Sequence, residues 1–139
     1  MAKVSGLGDY VAVDDSGGNI RDISNDVTSI EVAIPQSLIE STGIDKSAME
    51  RIIGLGDGTV SLSGVFNPAS NKSHDVFKAR TGTRTVTYAL GGNTTGKPEL
   101  AMEMLVSGYN LSRGSDGGMT WTAELSLQSG TTPTWGTVS

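Results

Sequence analysis

The sequence predicts a mainly β fold, a β-sandwich or partly open β-barrel of about seven strands with one or two short flanking helices. Three observations point there. Apolar residues repeatedly alternate with polar ones at period two, which gives a strand one buried face. Gly, Ser and Thr are abundant, with 19 glycines in 139 residues, while only 18% of residues are charged. Turn clusters separate the alternating runs.

The clearest run is Gly118 to Gln128, in which Met119, Trp121, Ala123, Leu125 and Leu127 share one face and Thr120, Thr122, Glu124, Ser126 and Gln128 the other. Leu100, Met102, Met104 and Val106 alternate in the same way, and the phase then slips to Tyr109 and Leu111 across Ser107-Gly108. A slip at a glycine predicts a β-bulge. Further strands are expected over Val27 to Ile34, Gly58 to Phe66 and Thr83 to Leu90. Tyr10 to Asp14 and Asn19 to Ile23 flank Asp15-Ser16-Gly17-Gly18 as a hairpin, and Ser115-Asp116-Gly117-Gly118 forms a second turn between the last two strands.

Two segments read as helix. In Lys46 to Ile53, Ala48, Met49, Ile52 and Ile53 fall on one helical face, Asp45 stands where a cap belongs and Gly54 follows the end. In Ser73 to Arg80, Ser73 is placed to cap, Asp75 suits the positive end of the dipole and Gly82 stops the run. Both are too short to stand alone in water, so each is expected to pack on the sheet. The whole chain, 1–139, is read as one domain, with an inter-strand loop at 35–44 and an extended tail at 129–139.

Composition removes several function classes. With no Cys there is no disulfide framework, thiol nucleophile or ordinary zinc ribbon. A net charge of −5 argues against a nucleic-acid binder, which needs a basic patch for the phosphates. The N-terminus, Met1 to Gly6, lacks the apolar core of a signal peptide and no run approaches a membrane span, so the chain is expected to be made in the cytoplasm with no membrane partner.

The motifs that suggest chemistry fail on context. Gly91, Gly96 and Lys97 in ALGGNTTGKPEL match the spacing of a phosphate-binding loop, but Pro98 replaces the metal-binding hydroxyl residue and a strand pattern follows where a helix is required. This stretch reads as a mobile inter-strand connection. Gly54-Leu55-Gly56-Asp57-Gly58 has its helix before it and its strand after it, the reverse of a dinucleotide fingerprint. The single His74 has no partners for a zinc site or a nucleophile elbow and reads as a surface or capping residue. Asp14 and Asp15 belong to a turn, since the remaining ligands of a calcium loop are missing. Glu31, Glu103 and Glu124 lie on predicted strands and admit a glycosidase pair on paper, but aromatics are only 5% of the chain. No catalytic residue, cofactor or metal ligand is assigned, and the chain is not expected to be an enzyme.

The order of parts resembles that of the tail tube, or major tail, proteins of long, non-contractile-tailed bacteriophages. The resemblance lies in IDKSAMERIIGLGDGTVSLSGVFNPASNKSHDVFKA, where a short helix with Glu50-Arg51, a Gly-rich turn, a strand ending Gly64-Val65-Phe66 and a second helix follow one another. It continues in SGYNLSRGSDGGMTWTAELSLQSGTTPTW, a Tyr-bearing strand, a charged Gly turn, a Trp-bearing strand and a polar tail with Pro and Trp.

The resemblance implies a structural virion protein whose subunits form hexameric rings stacked into a tube. It also implies a tape-measure protein in the lumen, a tail terminator as partner, DNA passing through without specific binding, and a place in the virion tail. On that reading Leu38, Ile39, Ile44, Pro133 and Trp135 are candidate subunit contacts, and Asp22, Glu31, Glu103 and Glu124 are candidate lumen-facing acids. The alternatives are a carbohydrate-binding or adhesive β-sandwich, or another ring-forming virion protein such as a terminator.

Overall fold

A computed structural model of the chain describes residues 8–79, 81–131 and 133–138. Its strands are β1 (Tyr10–Asp14), β2 (Ile20–Asp22), β3 (Val27–Ala33), β4 (Gln36–Glu40), β5 (Arg51–Gly56), β6 (Thr59–Val65), β7 (Thr83–Ala89), β8 (Pro98–Arg113), β9 (Met119–Leu127) and β10 (Trp135–Thr137); the one helix among the described residues, α1 (Ser73–Phe77), lies between β6 and β7. Eight strands form one antiparallel sheet in the order β2-β1-β7-β8-β9-β6-β3, with β10 added to β8, and β4 and β5 form a separate two-stranded arm.

The alternation read from the sequence decides which face of the sheet is buried. Val60 and Leu62 of β6, Trp121, Ala123 and Leu125 of β9, Met102 and Met104 of β8 and Val86 of β7 turn to one side with Val11 and Val13 of β1. Val27, Ile30 and Val32 of β3, at the far end of the sheet, pack against the same cluster, so the sheet curls around its core. It does not close into a barrel. A seam remains between β1 and β3, lined by Gly8, Asp9 and Val11 on one side and by Val27 to Ile30 on the other.

The expected bulge is present, as a register shift between Val106 and Gly108 against β9. It lets the 16-residue β8 bend with the curl. Trp121 is fully buried, lies tilted against Phe77 of α1 with 5.4 Å between ring centres, and donates its indole N–H to the Val65 carbonyl at 3.0 Å. Next to that carbonyl, Gly64 lies so close to β3 that a Cβ there would stand 1.8 Å from the Asp26 carbonyl oxygen. Only glycine fits that crossing.

Helix α1 is shorter than expected and is capped from elsewhere. The residue before it, Lys72, makes no side-chain cap, and the Ser73 hydroxyl is buried without a partner. The buried Asp26 instead accepts the Ser73 N–H at 3.1 Å through one carboxylate oxygen and the Asn67 side-chain amide at 2.9 Å through the other. At the opposite end, the buried Arg84 donates to the carbonyls of Val76, Ala79, Thr81 and Asp14. It thereby serves the Val76 carbonyl, which a five-residue helix leaves unpaired, and ties the turn after the helix to β1. Burial pulls the guanidinium down from its ordinary range. His74, expected at the surface or as a cap, is half-buried, with Nδ1 3.0 Å from the Tyr109 hydroxyl and Phe66 alongside.

The other expected helix, Lys46 to Ile53, does not form. Its last residues begin β5, and the segment read as a loop at 35–44 contributes β4: Leu38 faces Ile53, Ile39 faces Ile52 and Glu40 faces Arg51. An eight-residue helix with two β-branched residues at its end is marginal, and cross-strand pairing satisfies the same backbone groups better. Thr42 closes the arm by accepting the Glu50 N–H at 2.8 Å while its hydroxyl donates to the Glu50 carbonyl at 3.2 Å. Gly54 and Gly56 are strand residues of β5 rather than a helix stop. A Cβ on Gly54 would stand 2.4 Å from Ser37 Oγ.

Candidate functional site: an acidic strand face and an apolar arm

Residues directly opposite one another in adjacent strands point to the same side of a sheet. That rule, applied to the register, collects the four acids singled out in the sequence. Glu31 of β3 stands opposite Ser61 of β6, which stands opposite Glu124 of β9, giving one cross-strand row. With neighbouring strands about 4.8 Å apart, the two carboxylate-bearing positions are roughly 10 Å from each other. Glu103 of β8 stands opposite Thr85 of β7, whose hydroxyl donates to it. Asp22 of β2 stands opposite Ala12, which stands opposite Thr87, which stands opposite Ala101 of β8. All four acids therefore share the face turned away from the core.

The rest of that face carries many hydroxyls, among them Thr83, Ser126, Ser63, Ser29 and Thr122, together with Glu99 and the exposed apolar side chains of Ile20, Val65 and Leu105. Among the described residues, no strand of the sheet turns a Lys or Arg to it. Arg21 is opposite Val13, Arg84 is opposite Met104 and Arg113 is opposite Met119, all on the core-facing side. Arg21 also pairs with Asp15 at 2.9 Å. The backbone N–H of Asn19 above all, with Arg21 and the Gly17 N–H, holds the Asp15 carboxyl below the usual range. The remaining described cations are Lys46 and Arg51 on the arm, Lys72 and Lys78 at α1, and Lys97 in the loop before β8.

The arm is the second unusual surface. Its period-two faces are both apolar: Leu38, Ile53 and Leu55 lie on one, Ile39 and Ile52 on the other. Leu55 is 88% exposed and Ile53 67%, and Ile44, Met49, Leu38, Ile39 and Ile52 are exposed as well. The expected contacts Leu38, Ile39 and Ile44 thus lie together on this element. Sequence reasoning missed Ile52, Ile53 and Leu55 because they were assigned to a helix face and the turn after it. The adjacent pair Ile52-Ile53, flanked by glycines at 54 and 56, was the signal that fits a strand exposed on both sides.

Pro133 and Trp135 are elsewhere. β10 runs antiparallel along β8, with Trp135 opposite Leu100 and Thr137 opposite Pro98, so this part of the tail folds onto its own sheet. Pro133 packs beside Gly58 and Met102. The Trp135 side chain nevertheless stays 49% exposed.

A curled antiparallel sheet with a projecting two-stranded arm and one short plugging helix defines the class of the fold. Among solved structures it is similar over nearly its full length to a number of chains, three of which illustrate the match. The first, from the tail of an empty gene transfer agent particle refined with helical and C6 symmetry, has a TM-score of 0.69 at 11% identity and covers 99% of this chain and 100% of that one. The second, from a PVC sheath/tube terminator of an extracellular contractile injection system in its extended state, has a TM-score of 0.71 at 11% identity, with 98% of each chain covered. The third, from the SPP1 tail tube, has a TM-score of 0.74 at 6% identity and covers 97% of this chain and 80% of that one. The chain therefore has the fold of tail tube and tube terminator chains. No family model matches the sequence, and no curated protein matches it either.

Proposed function

We propose that the chain is a structural subunit of a virion tail tube, assembling into hexameric rings that stack around a lumen through which DNA passes. The observation that carries the reading is the strand face with Asp22, Glu31, Glu103 and Glu124 and no described cation. A wall along which DNA must slide has to avoid holding phosphates, and an anionic wall without cations repels them weakly. The fold similarity to tail chains supports the same reading.

The arm supplies the contact between subunits. An isolated two-stranded hairpin is marginal in water, and one with apolar side chains on both faces gains its stability from being covered. Leu38, Ile39 and Ile44 with β5 would bury against neighbouring copies, and Trp135 adds an aromatic anchor at the rim. A ring of this kind is a heterologous interface closed by rotation, and stacking repeats it along the axis. The tape-measure protein occupies the lumen before DNA does, a tail terminator ends the stack, and the subunit is made in the host cytoplasm.

The similarity to a sheath/tube terminator favours a second reading, a chain that forms a single ring and stops there. Negative-stain electron microscopy over a range of concentrations separates the two. Hollow filaments of uniform width support the tube subunit, single rings support the terminator, and a chain that stays monomeric at every concentration contradicts both.

A further inference from the structure

The loop that imitates a phosphate site holds an anion of its own chain. Gly91 and Gly92 adopt positive φ, at 80° and 104°. The Gly91 N–H donates to one carboxylate oxygen of Asp9 at 2.8 Å, and the Tyr88 hydroxyl donates to the other at 2.7 Å. Five residues further on, the same loop takes hold of the opposite chain end. The Gly96 N–H donates to the Val138 carbonyl at 2.9 Å, and the Val138 N–H donates to the Lys97 carbonyl at 2.9 Å. Val138 is buried, and the three paired residues of β10 precede it directly. Within the loop, the Lys97 N–H donates to the Thr94 carbonyl at 3.1 Å, and the Leu90 N–H donates to the Pro98 carbonyl at 2.9 Å, which closes its base.

We propose that Gly91 to Lys97 is a clasp coupling the two ends of the domain, so that the Asp9 carboxylate governs whether β10, and with it Trp135, stays zipped to its own sheet. A charge-assisted bond fixes the first glycine of the loop. With that glycine free to move, the loop no longer presents Gly96 and Lys97 in register for Val138. β10 is only three residues long and borders open loop, so the loss of its last bonds releases it as a unit. Trp135 is half-exposed on the zipped strand and becomes available to a second surface when the strand leaves. The clasp follows from the fold alone and stands whether or not the chain builds a tube.

Amide hydrogen exchange on the full, unassembled chain tests the coupling in two ways. In Asp9→Ala, exchange at Gly91, Gly96 and Val138 is expected to quicken together by about tenfold or more, the scale of one lost bond to a charged group, with the core amides of Val60 and Leu125 unchanged. Acceleration at Gly91 alone, or at none of the three, overturns the proposal. If the variant loosens throughout, the native chain decides. In increasing denaturant the Gly91, Gly96 and Val138 amides should converge on one opening free energy and one denaturant slope. Separate openings there overturn the proposal equally.

Discussion

Glu31 and Glu124 stand on either side of Ser61 in one cross-strand row, on a face with no described cation to balance them. Their separation of roughly 10 Å is close to the screening length of about 8 Å at physiological salt and well inside the 30 Å or so at 10 mM. Glu31→Gln combined with Glu124→Gln is therefore expected to leave the melting temperature nearly unchanged in ordinary salt and to raise it slightly at low salt. Thermal melts at the two ionic strengths check this. A marked loss of stability at either would show that the carboxylates hold the sheet together rather than coat it.

All three tyrosines titrate late. Burial raises Tyr109, burial with Asp22 and Glu99 raises Tyr10, and burial with the Asp9 carboxylate pushes Tyr88 up to about 12. Because the folded value of Tyr88 lies above the ordinary 10.0, its contribution is complete below pH 10 and is lost as pH climbs through 10 toward 12. Tyrosinate absorbance should show less ionisation near pH 10 in the folded chain than in the unfolded one, and Asp9→Asn should lower the Tyr88 step from about 12. A native titration centred at 10 would contradict the Tyr88–Asp9 bond.

Gly64→Ala is expected to be among the most damaging single-methyl changes, because the new carbon meets the Asp26 backbone rather than a movable side chain. Forcing β3 and β6 apart also displaces the Val65 carbonyl that accepts the Trp121 indole. Overpacking of this kind costs about 1–3 kcal/mol or more, read as a fall in the urea midpoint. A change below about 0.5 kcal/mol would mean that the two strands can separate freely.

Ile53→Asp on the arm separates folding from assembly. The side chain is 67% exposed in the single chain, so stability should stay within about 0.5 kcal/mol. As a buried contact between copies it should cost about 2 kcal/mol or more per interface, raising the concentration needed for assembly at least tenfold. Sedimentation across a dilution series measures this. Unchanged assembly would remove the arm from the interface.

Much of the fold was legible because alternation is a local signal. Met119 to Leu127, the slip at Ser107-Gly108 and the Asp15 to Gly18 turn each carry their own pattern, and the structure follows them. The arm was not legible for the converse reason. Lys46 to Ile53 satisfies a helical period by itself, and only pairing with residues 36–40 makes Ile52 and Ile53 neighbours of Ile39 and Leu38. The Asp26 cap and the Arg84 clamp join positions far apart in the chain, so Ser73 looked like its own cap. The four acids were recognisable as strand residues, but a common face for them required the register of six strand pairs across seven strands.

In a tube, the acidic face must turn toward the lumen. A three-dimensional electron-microscopy reconstruction of the assembled chain measures this directly. The result expected is a hollow particle with Glu31, Glu103 and Glu124 on the inner wall and the β4–β5 arm buried between copies. Those carboxylates on the outer surface, or an assembly without a lumen, would contradict it.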